Sequence, residues 1–300
     1  MERYTIEREL ANAIFGKILL CYDRRAKRRV VVKRVQVAAA NARRSWDAQH
    51  AVSENFAFEK MVHLALSHEH LVMAHETVAL GDFDHLVMEY CPRGDLFSHV
   101  QKLHKLPATE AHRFFGQIAR AVAYMHAQGY AHGDLSLENV FLDAHGQCKL
   151  GDFGLAAPLH GTRVVGGGKF FYMAPEMFTP DGYDPEKADV WALGIMVFIM
   201  LTGAPLFQKA TTADGVYRFY IHATTNRLEQ ILDGWKVADV VAPALLDLLS
   251  QMLSVDPARR PTMATVVAHP YVAAAPCGSR LQRFPRVRRL LASLFQRRGG

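Results

Sequence analysis

An α+β architecture in two unequal parts is what this sequence predicts: a small β-rich portion over residues 1–90 and a larger, mainly helical one over 91–272. Three observations carry that reading. Residues 1–37 alternate in strand fashion, and two further short strand-like runs follow by residue 90. From Pro92 onward apolar residues recur at three- and four-residue spacing. The change of pattern falls at a natural boundary near Glu89–Gly94.

In chain order, YTIEREL and FGKILLCYD read as strands, and the basic turn RRAKRR joins the second to VVVKRVQV. An arginine- and lysine-rich turn between two β-branched runs is a hairpin with a solvated tip. Residues 38–66 shift to helical composition, ending in FAFEKMVHLAL. Strands follow around LVMAHETVAL and FDHLVMEY, with Gly81–Asp82 as the turn between them. Helices are expected over 95–103, 107–128, 184–203 and 241–253, interrupted by the strand-like NVFL and CKLGDF. Residues 273–300 form a separate basic tail.

The bulk composition, 50% hydrophobic and 21% charged over 300 residues, suits a water-soluble chain with ample core. The four cysteines lie far apart with no CxxC pair, which reads as free thiols in a reducing compartment. MERYTIEREL lacks the apolar stretch of a signal peptide, and the longest apolar run, WALGIMVFIML at 191–201, is too short to cross a bilayer. A cytoplasmic location is the expectation. The net charge is +6, but the tail alone holds seven arginines and no acid, so subtracting seven leaves −1 for the first 272 residues. With the charge confined to the tail, no nucleic-acid partner is expected.

The stretch YAHGDLSLENVFL, residues 130–142, carries the chemistry. An aspartate two after a histidine and five before an asparagine is what a phosphoryl-transfer loop needs. Moving the terminal phosphoryl of ATP also takes a lid over the phosphates, a cation on them, metal-binding oxygens and a base for the acceptor hydroxyl. Candidates stand in order: Lys33 in VVVKRV, Asp134 and Asn139, Asp152-Phe153-Gly154, Ala174-Pro175-Glu176, Asp189 in DVWALG, and Arg260 in DPARRPT.

In these motifs residues 4–272 resemble a eukaryotic protein kinase domain of serine/threonine type. FFYMAPE and DLSLEN are similar to serine/threonine rather than tyrosine kinases, and GDLF with DVWALGIMVFIMLTG leans toward the calcium/calmodulin-dependent and AMP-activated branch. The resemblance implies a two-lobed protein kinase fold with a small β-rich N-lobe and a larger helical C-lobe. It implies ATP and Mg²⁺ as nucleotide and metal, and a protein substrate. By the same resemblance Asp134 is the catalytic aspartate, Asn139 and Asp152 hold the metal, and Lys33 holds the α/β-phosphates. Glu59, nine before His68, would hold Lys33 forward, with Glu54 as fallback. The long Lys33–Glu59 interval suggests an insertion within residues 36–52. Met88 becomes the gatekeeper, Glu89 and Cys91 offer backbone groups to adenine, Asp95 approaches the ribose, and Ile18, Val31 and Phe141 sandwich the purine. Asp189 would hold the catalytic loop, and Arg260 would pair with Glu176.

The chain also departs from the family pattern. The lid G-x-G-x-x-G is here Ala11-Asn12-Ala13-Ile14-Phe15-Gly16, keeping only the last glycine. An alanine forced left-handed costs about 1–2 kcal/mol, which implies a grip on ATP weakened roughly tenfold unless the lid shifts outward. Gly133 replaces an arginine that in many relatives pairs with a phosphorylated activation loop, and between Asp152 and Glu176 the only hydroxyls are Thr162 and Tyr172. Activity independent of Thr162 phosphorylation is therefore expected. Ser136 replaces a lysine whose loss should cost about 2–4 kcal/mol of barrier. Lys169 in GKFFYMAPE stands where relatives commonly place a threonine, so hydroxyl and ammonium are exchanged, and Lys169 is a catalytic candidate against the reading of a solvated loop lysine. Glu138 and Asp95 could meet basic residues of a substrate, or hold local structure. His63, four after Glu59 where the family packs an apolar residue, has no account.

In the tail, Phe284, Val287, Leu290, Leu291, Leu294 and Phe295 share a helical face. Such a basic amphipathic helix can meet an anionic membrane surface, a regulatory partner or the chain's own surface. Three functions stay open: an active serine/threonine kinase, a pseudokinase scaffold, and a small-molecule phosphotransferase of similar fold.

Overall fold

The computed structural model of the chain describes residues 3–13, 15–38, 56–163, 167–223 and 227–274. The fallback Glu54, most of the insertion expected in 36–52 and the tail helix lie outside these residues. The first part is a five-stranded antiparallel sheet of β1 (Tyr4–Ala13), β2 (Gly16–Asp23), β3 (Arg28–Gln36), β4 (Ala74–Leu80) and β5 (Phe83–Glu89), in the order β1-β2-β3-β5-β4. Val30, Val31 and Val32 make β3 a natural central strand, because β-branched side chains fit the pleated surface. The two-residue period sorts its side chains. Val30 and Val32 join Tyr4, Leu19, Cys21 and Val87 in one cluster. Val31 and Val35 join Phe56, Val72, Leu86 and Met88 in another, and Lys33 shares their parity. The basic turn forms because Asp23 accepts the N–H groups of Arg25 and Ala26 at 3.0 and 3.1 Å.

Helix α1 (Phe56–Ala65) covers the second cluster, burying Phe56, Glu59, Val62 and His63, a helical stripe. The strand expected from Leu71 begins only at Ala74. The reason is that Leu71 and Val72 pair elsewhere: Val72 donates to Leu150 O at 2.8 Å, and Leu150 donates to His70 O at 2.8 Å.

Beyond Glu89 come α2 (Leu96–Leu103), α3 (Ala108–Ala127), β6 (Tyr130–Ala131), β7 (Val140–Leu142), β8 (Cys148–Leu150), β9 (Ala157–Pro158) and α4 (Pro185–Thr202). Then follow α5 (Gly215–His222), α6 (Arg227–Gly234), α7 (Pro243–Met252), α8 (Met263–Ala268) and α9 (Pro270–Ala273). The four expected helices fall within a residue or two of α2, α3, α4 and α7. Helices α5, α6, α8 and α9 are short and were not anticipated, since a run of four to eight residues carries little periodicity. Helix α4 is apolar on all sides and buried along nearly its whole length, which makes it the axis of the second part. Asp184 caps its start by accepting Glu186 N–H, and Gly203 ends it at φ +78°. A Cβ there would lie 2.0 Å from His104 O, so only glycine fits. Among the described residues no helix is long and apolar enough to cross a membrane.

Candidate active site

The site is assembled from α4 upward. Asp189, one turn into that helix and buried, accepts the backbone N–H of His132 at 2.7 Å, that of Gly133 at 3.0 Å and the His126 ring at 2.9 Å. Burial pushes its carboxyl pKa up, but the His126 hydrogen bond with the charges and N–H groups around it wins, and the group lies below the usual carboxylate range. The loop at 132–134 is thereby fixed to the core. His132 faces Gly151 O through Nε2 at 3.1 Å, and Asp134 N–H meets its Nδ1 at 3.2 Å. A proton on Nε2 satisfies both contacts.

Asn139 Nδ2 donates to the Asp134 carbonyl and to Asp134 Oδ2, each at 2.8 Å. The amide is thereby turned with Oδ1 as its remaining acceptor. Gly151 N–H donates to Asn139 O at 2.9 Å, which ties the segment carrying Asp152 to the loop. Asp152 has φ +60°, a left-handed conformation that costs a non-glycine residue energy and recurs at functional sites. Its pKa is lowered: desolvation opposes this, but the Lys33 ammonium, His132 and the Gly154 N–H overcome it. Lys33 Nζ lies 2.8 Å from both Glu59 oxygens and 3.6 Å from Asp152 Oδ1. Glu59, rather than the fallback, therefore holds Lys33; ion pairing links Lys33, Glu59 and Asp152, and the Gly151–Asn139 bond joins the Asp152 segment to the Asp134–Asn139 pair.

On the sheet side, Val31 and Phe141 pack against the cluster that contains Met88, joined by Phe15, while Ile18 pairs with Lys33 across the β2–β3 ladder. Ile18 and Val31 thus share the sheet face of Lys33. Glu89 Oε1 accepts Met73 N–H at 2.7 Å and faces Lys149 at 3.2 Å. Cys91 is buried, and burial pushes its thiol up to about 12, so its sulfur is unreactive. Asp95 spends both oxygens on Ser98, accepting its N–H at 2.7 Å and its hydroxyl at 2.9 Å, and so serves as the N-cap of α2. Glu138 accepts the buried Tyr172 hydroxyl at 3.1 Å, which favours local structure over substrate contact for this acid.

One expectation about the lid is corrected. Ala11 and Ala13 are ladder residues, paired with Ile18 and Gly16, and neither has positive φ. The left-handed strain expected of them does not arise, because β1 simply continues through the position of the loop. Gly16 is demanded by the sheet: a Cβ there would lie 1.8 Å from Arg34 O.

His63 stacks on Phe153 with ring centroids 4.3 Å apart, and Phe153 in turn meets His132 edge-on at 5.6 Å. Neither His63 nitrogen makes a well-formed hydrogen bond among the described residues. Burial, helped by the Lys33 ammonium and opposed by the Asp152 carboxylate and the Val72 backbone, pushes its pKa down to about 3. It is an uncharged ring filling an apolar position.

Activation-segment contacts were legible only in part. Lys169 Nζ donates to Ser136 Oγ at 3.0 Å and lies 3.7 Å from Asp134 Oδ2. Arg163, which sequence reasoning missed, donates from Nη1 to Leu155 O at 2.7 Å beside Gly133. Arg260 pairs with both oxygens of Glu176, at 2.5 and 2.8 Å, with its guanidinium 4.9 Å above the Trp191 ring.

A family model, "Protein kinase domain", matches residues 4–272. The chain belongs to the protein kinase domain family. Its relatives include "Maternal embryonic leucine zipper kinase" of Xenopus tropicalis, 34% identical over 69% of this chain and 31% of that protein. "CBL-interacting serine/threonine-protein kinase 7" of Arabidopsis thaliana is 31% identical over 88% of this chain and 59% of that protein. "CBL-interacting protein kinase 30" of Oryza sativa subsp. japonica is 29% identical over 92% and 56% respectively. The chain thus spans less than two thirds of the length of these relatives.

As a kinase domain it has the two-lobed α+β fold, with the five-stranded sheet as N-lobe and the helical part as C-lobe. The family implies ATP and a divalent metal. Among the described residues no three His, Cys, Asp or Glu cluster as a metal cage. Asp152, with its side chain 44% exposed, and Asn139 Oδ1 instead fit a hard cation shared with substrate phosphates, the usual manner of Mg²⁺.

Proposed function

We propose that this kinase domain transfers the γ-phosphoryl group of ATP to a serine or threonine hydroxyl of a protein. The observation that carries the proposal is the linkage of Lys33 to Asp152 and of Asn139 to Asp134 on segments joined by the Gly151–Asn139 backbone bond. The name of the Arabidopsis relative supports serine and threonine as acceptors. In this reading Glu59 keeps Lys33 pointed at the α/β-phosphates, and Asp134 takes the proton of the incoming hydroxyl. Asn139 and Asp152 would hold Mg²⁺, which would supply positive charge to the phosphates. Met88, Val31, Ile18 and Phe141 surround the purine, with the Glu89 and Cys91 backbone as its hydrogen-bonding edge.

Activation-loop phosphorylation is dispensable in this reading. Arg163 holds the segment to Leu155 O and, through paired backbone bonds of 3.0 and 2.7 Å, to Tyr183. A phosphate on Thr162 would have no arginine at Gly133 to meet.

The test is Mg²⁺-dependent transfer from labelled ATP to a peptide array, with Asp134→Asn as control. Transfer to serine or threonine peptides that the control abolishes is the expected result. Tight nucleotide binding with no transfer to any peptide would assign the chain to the scaffold class instead.

A further inference from the structure

We propose that Lys169 is a catalytic residue of this domain: its ammonium, carried by the activation segment, steadies the transferring phosphoryl group from the position left without a cation by Ser136. The inference rests on the kinase reading and names a residue that reading does not need.

Ser136 is completely buried, yet its hydroxyl is reached by Lys169 Nζ at 3.0 Å. Holding a long side chain in this contact costs rotamer entropy that a freely solvated loop lysine does not spend. The same ammonium lies 3.7 Å from Asp134 Oδ2, and the side chain keeps 30% exposure. An ammonium has three N–H donors. One is given to Ser136, one points toward Asp134, and the third is available to an oxygen of a phosphoryl group beside that aspartate.

The backbone is shaped to bring Lys169 there. Gly168 has φ +107°, and a Cβ on it would lie 2.6 Å from Asp134 Oδ1. Only glycine allows the segment to pass this close to the loop. Immediately after, Tyr172 N–H donates to Lys169 O at 2.9 Å, and the Tyr172 hydroxyl bonds Glu138 and Leu137 N–H of the loop. Lys169 is thus tethered to the catalytic loop on both sides, by a close approach before it and by a buried tyrosine after it.

In the transfer step the acceptor oxygen forms a bond to the γ-phosphorus, and the bond from that phosphorus to the β,γ-bridging oxygen breaks. ADP leaves with the electron pair, and the hydroxyl proton passes to the Asp134 carboxylate. Lys169 exchanges no proton. It offsets the negative charge on the equatorial oxygens as they move, a preorganised cation that costs no reorganisation.

The experiment compares steady-state phosphorylation of a serine peptide by the wild type, Lys169→Met, Lys169→Gln and the exchange Ser136→Lys/Lys169→Thr, with melting curves to verify folding. Lys169→Met should lower kcat about 30-fold or more, with KM for ATP moved less than about threefold. Lys169→Gln, which can still bond Ser136 but has no charge, should be equally impaired. The exchange should recover activity to within about tenfold of wild type, since charge and hydroxyl are both restored. If Lys169→Met turns over within twofold of wild type while Asp134→Asn is dead, the inference falls and the kinase reading stands. Loss in both single variants without recovery in a folded exchange variant marks a structural role and equally overturns it. If the wild type transfers no phosphate, both readings fall together.

Discussion

A Cβ on Gly133 would lie 2.8 Å from Nη1 of Arg163 and 2.3 Å from Leu155 O. The guanidinium of the activation segment fills the space beside the loop residue where family resemblance puts an arginine. An activation-segment cation thus stands beside the loop at Gly133, as Lys169 does at Ser136.

Restoring the loop arginine should therefore harm the domain. Gly133→Arg must accept φ +77° and collide with Leu155 O, so it should lower stability by about 1–3 kcal/mol and reduce activity. Thr162→Ala should retain activity within tenfold, and Arg163→Ala should not. Parallel kinase assays on all three check this; a Thr162→Ala variant that loses more than tenfold would sink phosphorylation independence.

Lys33 and Glu59 have only 7% and 1% side-chain exposure, so removing one leaves the other buried without its closest ion-pair partner. Lys33→Met should destabilise by about 3–5 kcal/mol, whereas Lys33→Met/Glu59→Met should recover much of that loss while staying inactive. Urea unfolding of the cycle gives the coupling energy. Additive losses would show that the pair is not coupled.

His63 predicts an acid-side slope in stability. Its folded pKa of about 3 lies below the ordinary value near 6.5, so the unfolded chain binds one more proton throughout that interval. Stability is full above roughly pH 6.5 and is lost as pH falls, by about 1.4 kcal/mol per pH unit for this one group. His68, His70 and His75 are depressed by burial too and act in the same direction. Asp189, whose pKa is lowered, adds a further loss only below about pH 4. His63→Leu should make the curve between pH 6 and 4 shallower by one proton. Superimposable slopes for variant and wild type would refute the assignment.

Arg260 is fully buried, and besides Glu176 it bonds Ser254 O and Lys187 O. Arg260→Ala should cost about 3–5 kcal/mol, and Arg260→Lys should recover little, since an ammonium cannot reproduce the paired bonds. A melting temperature within about 2 °C of wild type would contradict this.

Much of this site was readable in residue order. Lys33, Asp134, Asn139 and Asp152 keep characteristic neighbours, and Glu59 followed from counting back from His68. Strand parity explains why Lys33 could be placed with Val31, since a period of two fixes the face of every side chain. The lid was misjudged because missing glycines suggest strain only if the backbone needs φ > 0, and here β1 remains extended through Ala13. Asp95 and Glu138 were read either as meeting a substrate or as holding local structure, and the local contacts are those of Ser98 and Tyr172. Arg163 went unnoticed: a lone arginine in a loop carries no periodicity.

By itself the sequence determined which chemical groups the domain possesses, the faces its strands and long helices bury, and the absence of loop cations at Gly133 and Ser136. Tertiary structure decided what stands in those two places. Periodicity and capping are written within a few neighbouring residues, so they can be read locally. Contacts such as Lys169 to Ser136, 33 residues apart, exist only because Gly168 lets one strip of backbone pass against another that α4 holds still.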